Sequence, residues 1–367
     1  MSANDSAECA GGEAESGRLI IRHCGNAHRH MCRYLVERHG FEDLCRLPVD
    51  PGSKSRLAHF RDLAGDLLYA VRNLPRLRRA REIVSTGPMA AAVACLLKLG
   101  LLPRCRHVWW LGLFIHSPRW LRRLRPVFRL LDSRRMRYLL FSEFEKAIYA
   151  RALGFELYRL LYISYGDMSP QRSVPDERIA RQLATAGRTF FFSGGYTSRD
   201  YSALIEVFRQ VSSKLVIICS SLNTNVPTAG LPANITVLRE VPFATFEAYA
   251  QAALACIVPI AYDTGAAGQS VLLSHMQQRK IIIATNTGII REYLQDGVSG
   301  ILVENNRTAL AAAVQRVAAH PEDYQHYGDA AHARFQQCFS REAIARRLDE
   351  LVHQHMALSG ERPPEAV

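Results

Sequence analysis

The chain has 367 residues, 48% of them hydrophobic and 22% charged, a globular mixture long enough for two domains and unlike that of a disordered or fibrous protein. Its net charge is +12, and the excess lies entirely in the first part: residues 1–170 hold 28 basic and 16 acidic side chains, and the rest holds 18 of each. Only the first part is therefore expected to meet an anionic partner.

The first 17 residues are small, polar and acidic, the reverse of a secretory signal, and no apolar run reaches the ~18 residues needed to cross a bilayer. Nine cysteines lie scattered without a CxxC pair, which reads as free thiols in a reducing compartment and not as a zinc site or disulfide frame. These features predict a cytoplasmic protein.

Residues 18–24 form a short β run that stops at Gly25-Asn26. A helix follows through Tyr34, Leu35 and Val36 to a stop at Gly40. Apolar spacing at Leu63, Leu67, Leu68, Val71 and Leu74 predicts one long helix over 57–81. A strand at 82–86 is broken by a Gly87-Pro88 turn, and 90–99 is helical. A buried strand is predicted at 107–115, a basic helix at 119–135, a strand at 138–142 and a helix at 143–153. The Pro/Ser-rich segment 168–175 reads as a linker. Strands are then predicted at 189–193, 215–219, 235–238, 256–260 and 280–285, with helices at 201–211, 246–253 and 270–279. Short apolar strands alternating with helices specify parallel sheets in an α/β architecture. The expected organisation is a tail (1–17), an N-terminal domain (18–167), a C-terminal domain (176–340), and a final helix and tail (341–367).

Two segments could carry chemistry. In Phe-Phe-Phe-Ser-Gly194-Gly195-Tyr-Thr-Ser-Arg199-Asp200, a strand runs into two glycines and then a helix. Free amides at a positive helix end can hold a phosphate, and Arg199 could add a charge-assisted contact. The plain alternative is a strand-to-helix turn, with Asp200 as a capping residue. In Tyr262-Asp-Thr-Gly-Ala-Ala-Gly268-Gln269-Ser270, a small-residue loop again precedes a helix, with Ser270 as the expected N-cap. Ligands of open α/β sheets bind at that edge, which favours the functional reading.

With the motifs Ser-Gly-Gly-x-x-Ser-Arg-Asp-Tyr, Val-Pro-x-x-x-x-Glu-x-Tyr, Ala-Gly-Gln-Ser and Ala-Thr-Asn-Thr-Gly-Ile-Ile-Arg-Glu-Tyr-Leu-Gln-Asp-Gly-Val-Ser-Gly, residues 189–303 resemble the C-terminal half of bacterial GT-B glycosyltransferases. The similarity is to the GT4-like group of surface-polysaccharide synthesis. The resemblance implies two Rossmann-like domains facing a central cleft. A nucleotide-diphosphate sugar would sit on the second domain, and a lipid-linked or polysaccharide acceptor on the first. It implies donor contacts from Gly194, Gly195, Arg199, Gly268, Gln269, Ser270 and Ser274, with Gly25 and Asn26 in the matching N-terminal loop. His116 and Arg199 are the implied catalytic residues. A lone histidine after an apolar strand is otherwise a packing or capping residue, so His116 rests on the resemblance. The implied transfer is retaining and needs neither metal nor cofactor, the leaving diphosphate being held by Arg199 and backbone amides.

Where the family places a ribose-binding glutamate, this chain has Ser274, which keeps a hydrogen bond without the ionised acceptor. A glutamate at 274 is accordingly expected to tighten nucleotide binding. The same departure admits an alternative, a non-catalytic GT-B-like subunit that binds a partner. Nucleic acid is not an expected partner, since no helix-turn-helix, RRM or zinc motif accompanies the charge. Eight arginines between 119 and 137 instead predict peripheral attachment to an anionic membrane at its inner face. The apolar stripe of that helix is expected at Trp120, Leu124, Val127 and Leu131.

Overall fold

A computed structural model describes residues 17–23, 29–46, 56–113, 115, 118–166, 176–187, 189–221, 223–227, 229–262 and 267–356. It contains two parallel six-stranded sheets. The first is built from β1 (Arg18–His23), β2 (Glu42–Arg46), β3 (Glu82–Thr86), β4 (His107–Leu111), β5 (Met136–Leu140) and β6 (Leu160–Tyr162), in the order β2-β1-β3-β4-β5-β6. Helix α1 (Arg29–His39) covers one face. Helices α2 (Arg56–Arg72), α3 (Leu74–Arg79), α4 (Gly87–Lys98), α5 (Pro118–Leu131) and α6 (Glu143–Leu153) follow in the chain, and α2 to α6 contribute to the core on the other face.

The second sheet comprises β7 (Phe190–Gly194), β8 (Lys214–Cys219), β9 (Ile235–Arg239), β10 (Ala255–Val258), β11 (Ile281–Thr285) and β12 (Ile301–Val303), in the order β12-β11-β10-β7-β8-β9. Its helices are α7 (Glu177–Ala186), α8 (Tyr201–Gln210), α9 (Phe243–Ala252), α10 (Gln269–Gln277), α11 (Ile290–Tyr293), α12 (Arg307–Ala319) and α13 (Gln325–Cys338). In each sheet the chain reverses its direction of growth once, between β1 and β3 and between β7 and β10. Open α/β sheets bind ligands outside the carboxyl ends of such a pair of strands.

The last helix, α14 (Arg341–His355), crosses back to the first sheet. Ile344, Leu348, Leu351 and Val352 join Ile20, Leu35 and Trp109 in one apolar cluster, and Arg18 donates to the Met356 carbonyl at 3.1 and 3.3 Å. The two halves also meet directly. Glu292 Oε1 accepts from Ser142 Oγ (2.8 Å) and from the Phe144 amide (2.7 Å), and Tyr293 Oη donates to the Tyr165 carbonyl. These contacts join the C-terminal ends of β5 and β11, so the binding edges of the two sheets face each other.

Several local expectations are corrected. The long helix splits after Arg72 because Pro75, in the first turn of α3, cannot continue the preceding ladder. Pro88 opens α4 instead of breaking the chain, since a first-turn proline needs no donor. Strands β2 and β6 were not foreseen; both are edge strands, where a sequence such as Glu-Asp-Leu-Cys-Arg can remain polar. Cys32, Cys95, Cys105, Cys219, Cys256 and Cys338 are free thiols as expected, whereas Cys45 is disulfide-bonded and departs from that reading. Finally, α5 buries Leu121, Phe128 and Leu131, while Trp120 and Val127 face outward with Leu130. The outward face therefore differs from the predicted stripe, and it also carries exposed Arg119, Arg122, Arg123, Arg125 and Arg129.

Candidate functional site

The second switch point brings the two sequence motifs together. Gly194 ends β7, and Gly195 follows with φ +107°, a conformation open to glycine. The chain then turns back so that Arg199 lies over its own loop, 5% exposed. Its Nε donates to the Gly194 carbonyl (3.1 Å) and Nη1 to the Thr197 carbonyl (2.7 Å). Asp200 is itself the N-cap of α8, accepting from the Ala203 amide at 3.0 Å, so it caps the helix but not as the third helical residue of a Thr197-x-x-Asp200 box. A Cβ at Gly195 would stand 2.7 Å from Arg199 Nη2, and one at Gly268 would stand 3.6 Å from Nη1. The guanidinium thus occupies the space between the two glycine turns.

No carboxylate among the described residues forms an ion pair with Arg199, although loop 263–266 lies outside them. Burial pulls its pKa below the ordinary arginine value. A buried cation held by backbone carbonyls favours an anionic ligand, because a counter-charge offsets its desolvation. Helix α10 adds to this. Its N-cap is Gly268 (φ +88°), no side chain caps it, and its first amides belong to Gln269 and exposed Ser270. Ser270 is therefore inside the helix and not its N-cap. An uncapped helix start beside a buried guanidinium is a strong anion-binding arrangement.

Gln269 has a different commitment from the one expected. Its side-chain Nε2 donates to the Phe141 carbonyl and to Tyr293 Oη, both at 2.9 Å, so it ties the two halves together while its backbone amide opens α10. Ser274 Oγ donates to Glu247 Oε1 at 2.6 Å, and Gln278 Nε2 donates to Glu247 Oε2. The carboxylate missing from position 274 is thus supplied next to it by α9. Sequence reasoning did not single out Glu247, though it is the acid of the Val-Pro-x-x-x-x-Glu-x-Tyr motif. A glutamate at 274 would press a second carboxylate against Glu247, which reverses the expectation of tighter binding.

Next to Ser274, His275 is fully buried and neither ring nitrogen has a hydrogen-bond partner. Its ring stacks on Phe246 and meets Phe192 edge-on, and burial, reinforced by the Lys280 and Arg199 charges, pushes its pKa down to about 3. It is a neutral imidazole in the wall of the site. Gly25, Asn26 and His116 lie outside the described residues.

A cavity of about 440 Å³ adjoins the arginine, lined by Tyr196, Arg199, Asp200, Asn223, Asn225 and Tyr262. Asn223 donates to the Tyr196 carbonyl and Asn225 to the Arg199 carbonyl, fastening the loop after β8 to the loop after β7. Both asparagines escaped sequence reasoning, since a polar loop without glycine gives no signal. Among the described residues there is no group of three or more His, Cys, Asp or Glu side chains able to hold a metal. No described helix is long and apolar enough to cross a membrane.

No curated protein sequence matches the chain. Residues 187–320 match the family model described as glycosyl transferases group 1. Among solved structures, sucrose-phosphate synthase from Thermosynechococcus elongatus is similar with a TM-score of 0.70 at 16% identity, over 92% of this chain and 99% of that one. HepE from Anabaena in complex with UDP gives 0.68 at 15%, over 92% and 100%. The UDP-forming α,α-trehalose-phosphate synthase from Burkholderia vietnamiensis gives 0.62 at 13%, over 92% and 100%. The chain thus adopts the GT-B fold, and within it residues 187–320 are similar to glycosyl transferases group 1.

Proposed function

We propose that the protein transfers a glycosyl group from a nucleotide-diphosphate sugar to a lipid-linked or polysaccharide acceptor. The observation that carries the reading is Arg199, buried between two glycine turns at the switch point, beside the uncapped start of α10. A diphosphate bound there would supply the missing counter-charge. When the anomeric bond breaks, the same donors would meet the charge that grows on the leaving phosphate. HepE, of the same fold, has been solved with UDP-glucose, which makes UDP-hexoses the first donors to try. The test is a thermal shift and calorimetric titration with UDP-glucose, GDP-mannose and ADP-glucose, followed by nucleoside-diphosphate release. Binding of none of them would defeat the reading.

The acceptor side is read from α5. Its outward face interleaves five arginines with exposed Trp120, Val127 and Leu130, and Arg123 lies over the Trp120 ring at 5.5 Å. Cations of this kind contribute about 1 kcal/mol each near an anionic leaflet, and the apolar side chains reach the acyl boundary. This face supports peripheral attachment and access to a lipid-linked sugar. Co-sedimentation with phosphatidylglycerol-containing vesicles, weakened by salt and by Arg122→Glu with Arg123→Glu, checks it. Equal partitioning to neutral and anionic vesicles would exclude it.

A further inference from the structure

A second cavity, of about 370 Å³, lies outside the carboxyl ends of β10, β11 and β12, a volume in the range of small-ligand sites. Pro259, Thr285 and Val303 come to it from the strand ends, and Asp200 and Arg307 come from the starts of α8 and α12. Both helices pack on one face of the sheet, whereas α10, which reaches the first half through Gln269, packs on the other. Asp200 and Ser202 line this cavity as well as the one beside Arg199, so the two adjoin across the first turn of α8. The second cavity neighbours the donor site and is distinct from it.

Its charges oppose each other. Asp200 and Glu304 disfavour an anion, while Arg307 and the positive ends of two helices disfavour a cation. What is left over is hydrogen-bonding capacity of both kinds. Among the described residues, nothing engages the side chains of Asn305 and Arg307. Thr285 is 7% exposed; its Oγ1 accepts from the Ile260 amide at 2.9 Å, and its own proton has no acceptor among the described residues. A buried donor without an acceptor costs free energy that a ligand oxygen recovers. Pro259, Val303 and Leu310 add an apolar surface beside these polar groups. A neutral ligand rich in hydroxyls, with an apolar C–H face, answers each of these features. That is the chemistry of a sugar ring.

We propose that this cavity is a second saccharide site, which holds a neutral sugar unit of the acceptor glycan and takes no part in the chemistry. The glycan role rests on the glycosyl-transfer reading; the binding of a sugar does not. Asp200 and Glu304 accept from sugar hydroxyls, and Thr285, Asn305 and Arg307 donate to sugar oxygens. A chain held there and in the cleft at once occupies two sites, and the second raises the local concentration of its reactive end. A single sugar unit gains nothing from this arrangement.

The experiment uses the full chain and saturation-transfer difference NMR with D-glucose, D-galactose, D-mannose, N-acetyl-D-glucosamine and L-rhamnose. At least one sugar is expected to give a signal that persists in excess UDP, which keeps it apart from the donor site. Asn305→Trp, which places an indole at the cavity, should abolish the signal. Arg307→Ala should weaken binding about tenfold, the effect of one charged hydrogen bond. Both positions are exposed, so unfolding midpoints are expected to match wild type. A linear oligosaccharide of the same sugar should bind wild type about tenfold more tightly than the monosaccharide, and Asn305→Trp should remove that gain. No signal from any of the five sugars, a signal that excess UDP removes, or one that both variants leave intact overturns the site. An oligosaccharide that binds no more tightly than its monosaccharide overturns the glycan role. Sugar binding by a chain that binds none of UDP-glucose, GDP-mannose and ADP-glucose defeats the transferase reading and leaves the saccharide site standing.

Discussion

Arg46 and Arg199 are both buried, each at or beside a switch point, and they solve the same electrostatic problem in opposite ways. Arg46 carries its counter-charge with it, in Asp66 and Asp62. Arg199 is held by two backbone carbonyls and, among the described residues, by no acid. The first arrangement is self-sufficient and leaves a histidine beside it. The second is completed when an anion arrives. The contrast separates a buried cation that is already neutralised from one that is open to an anion.

The comparison breaks most visibly at Arg46. Arg46→Ala leaves the fully buried Asp66 with His23 Nε2 as its remaining partner, and about 1.5–3 kcal/mol of stability should go with the lost charged hydrogen bond, read by denaturant unfolding. The nucleotide Kd of the folded fraction should not move. Arg199→Ala should do the reverse. Unfolding stability is expected to hold or rise, because an unneutralised cation is removed, while kcat/KM falls about 100-fold, or about 2.7 kcal/mol. Equal stability losses in both variants would erase the distinction.

Acid should act on the donor wall through His275. Its pKa is held near 3 in the folded chain against an ordinary 6.5, so its contribution is present above pH 6.5 and is lost as pH falls toward 3. Over pH 7 to 5 that amounts to about 2 kcal/mol, and His275→Phe should lose correspondingly less stability on the same acidification. A smaller effect is expected from Ser274→Glu. Placed against Glu247, it should lower Tm by a few degrees and weaken nucleotide binding, and tighter binding would show that the new carboxylate finds the ribose after all. Excess EDTA should leave turnover within about twofold, the leaving group being held by Arg199 and amides.

The sequence carried the interior parallel strands of both sheets, because apolar runs such as Phe190–Gly194 and Ile281–Thr285 are buried on both faces. It carried the glycine turns and Arg199 through local spacing. It could not show that Arg199 folds inward, nor that Gln269 reaches the Phe141 carbonyl, since both depend on how distant segments meet. Helix α2 was misread for a related reason. The spacing of Leu63, Leu67 and Leu68 defines a stripe, but only the neighbouring β1 and β2 decide that Asp66 faces inward. Glu247 was legible as part of a motif and silent as a partner of Ser274.

Glu292 makes the spacing between the halves a matter of helix termination. Its carboxylate closes the amino end of α6, through Phe144 N and Ser142 Oγ, although it belongs to the other half of the chain. Ser142 itself makes no capping bond to α6. Separating the halves therefore frays a helix start, at about 1 kcal/mol for a lost cap, and bringing them together repairs it. Burial raises the Glu292 pKa, so the group takes up a proton more readily than an exposed glutamate and loses acceptor strength when it does. One of the ties between the halves is thus also a helix cap, and a single proton weakens it.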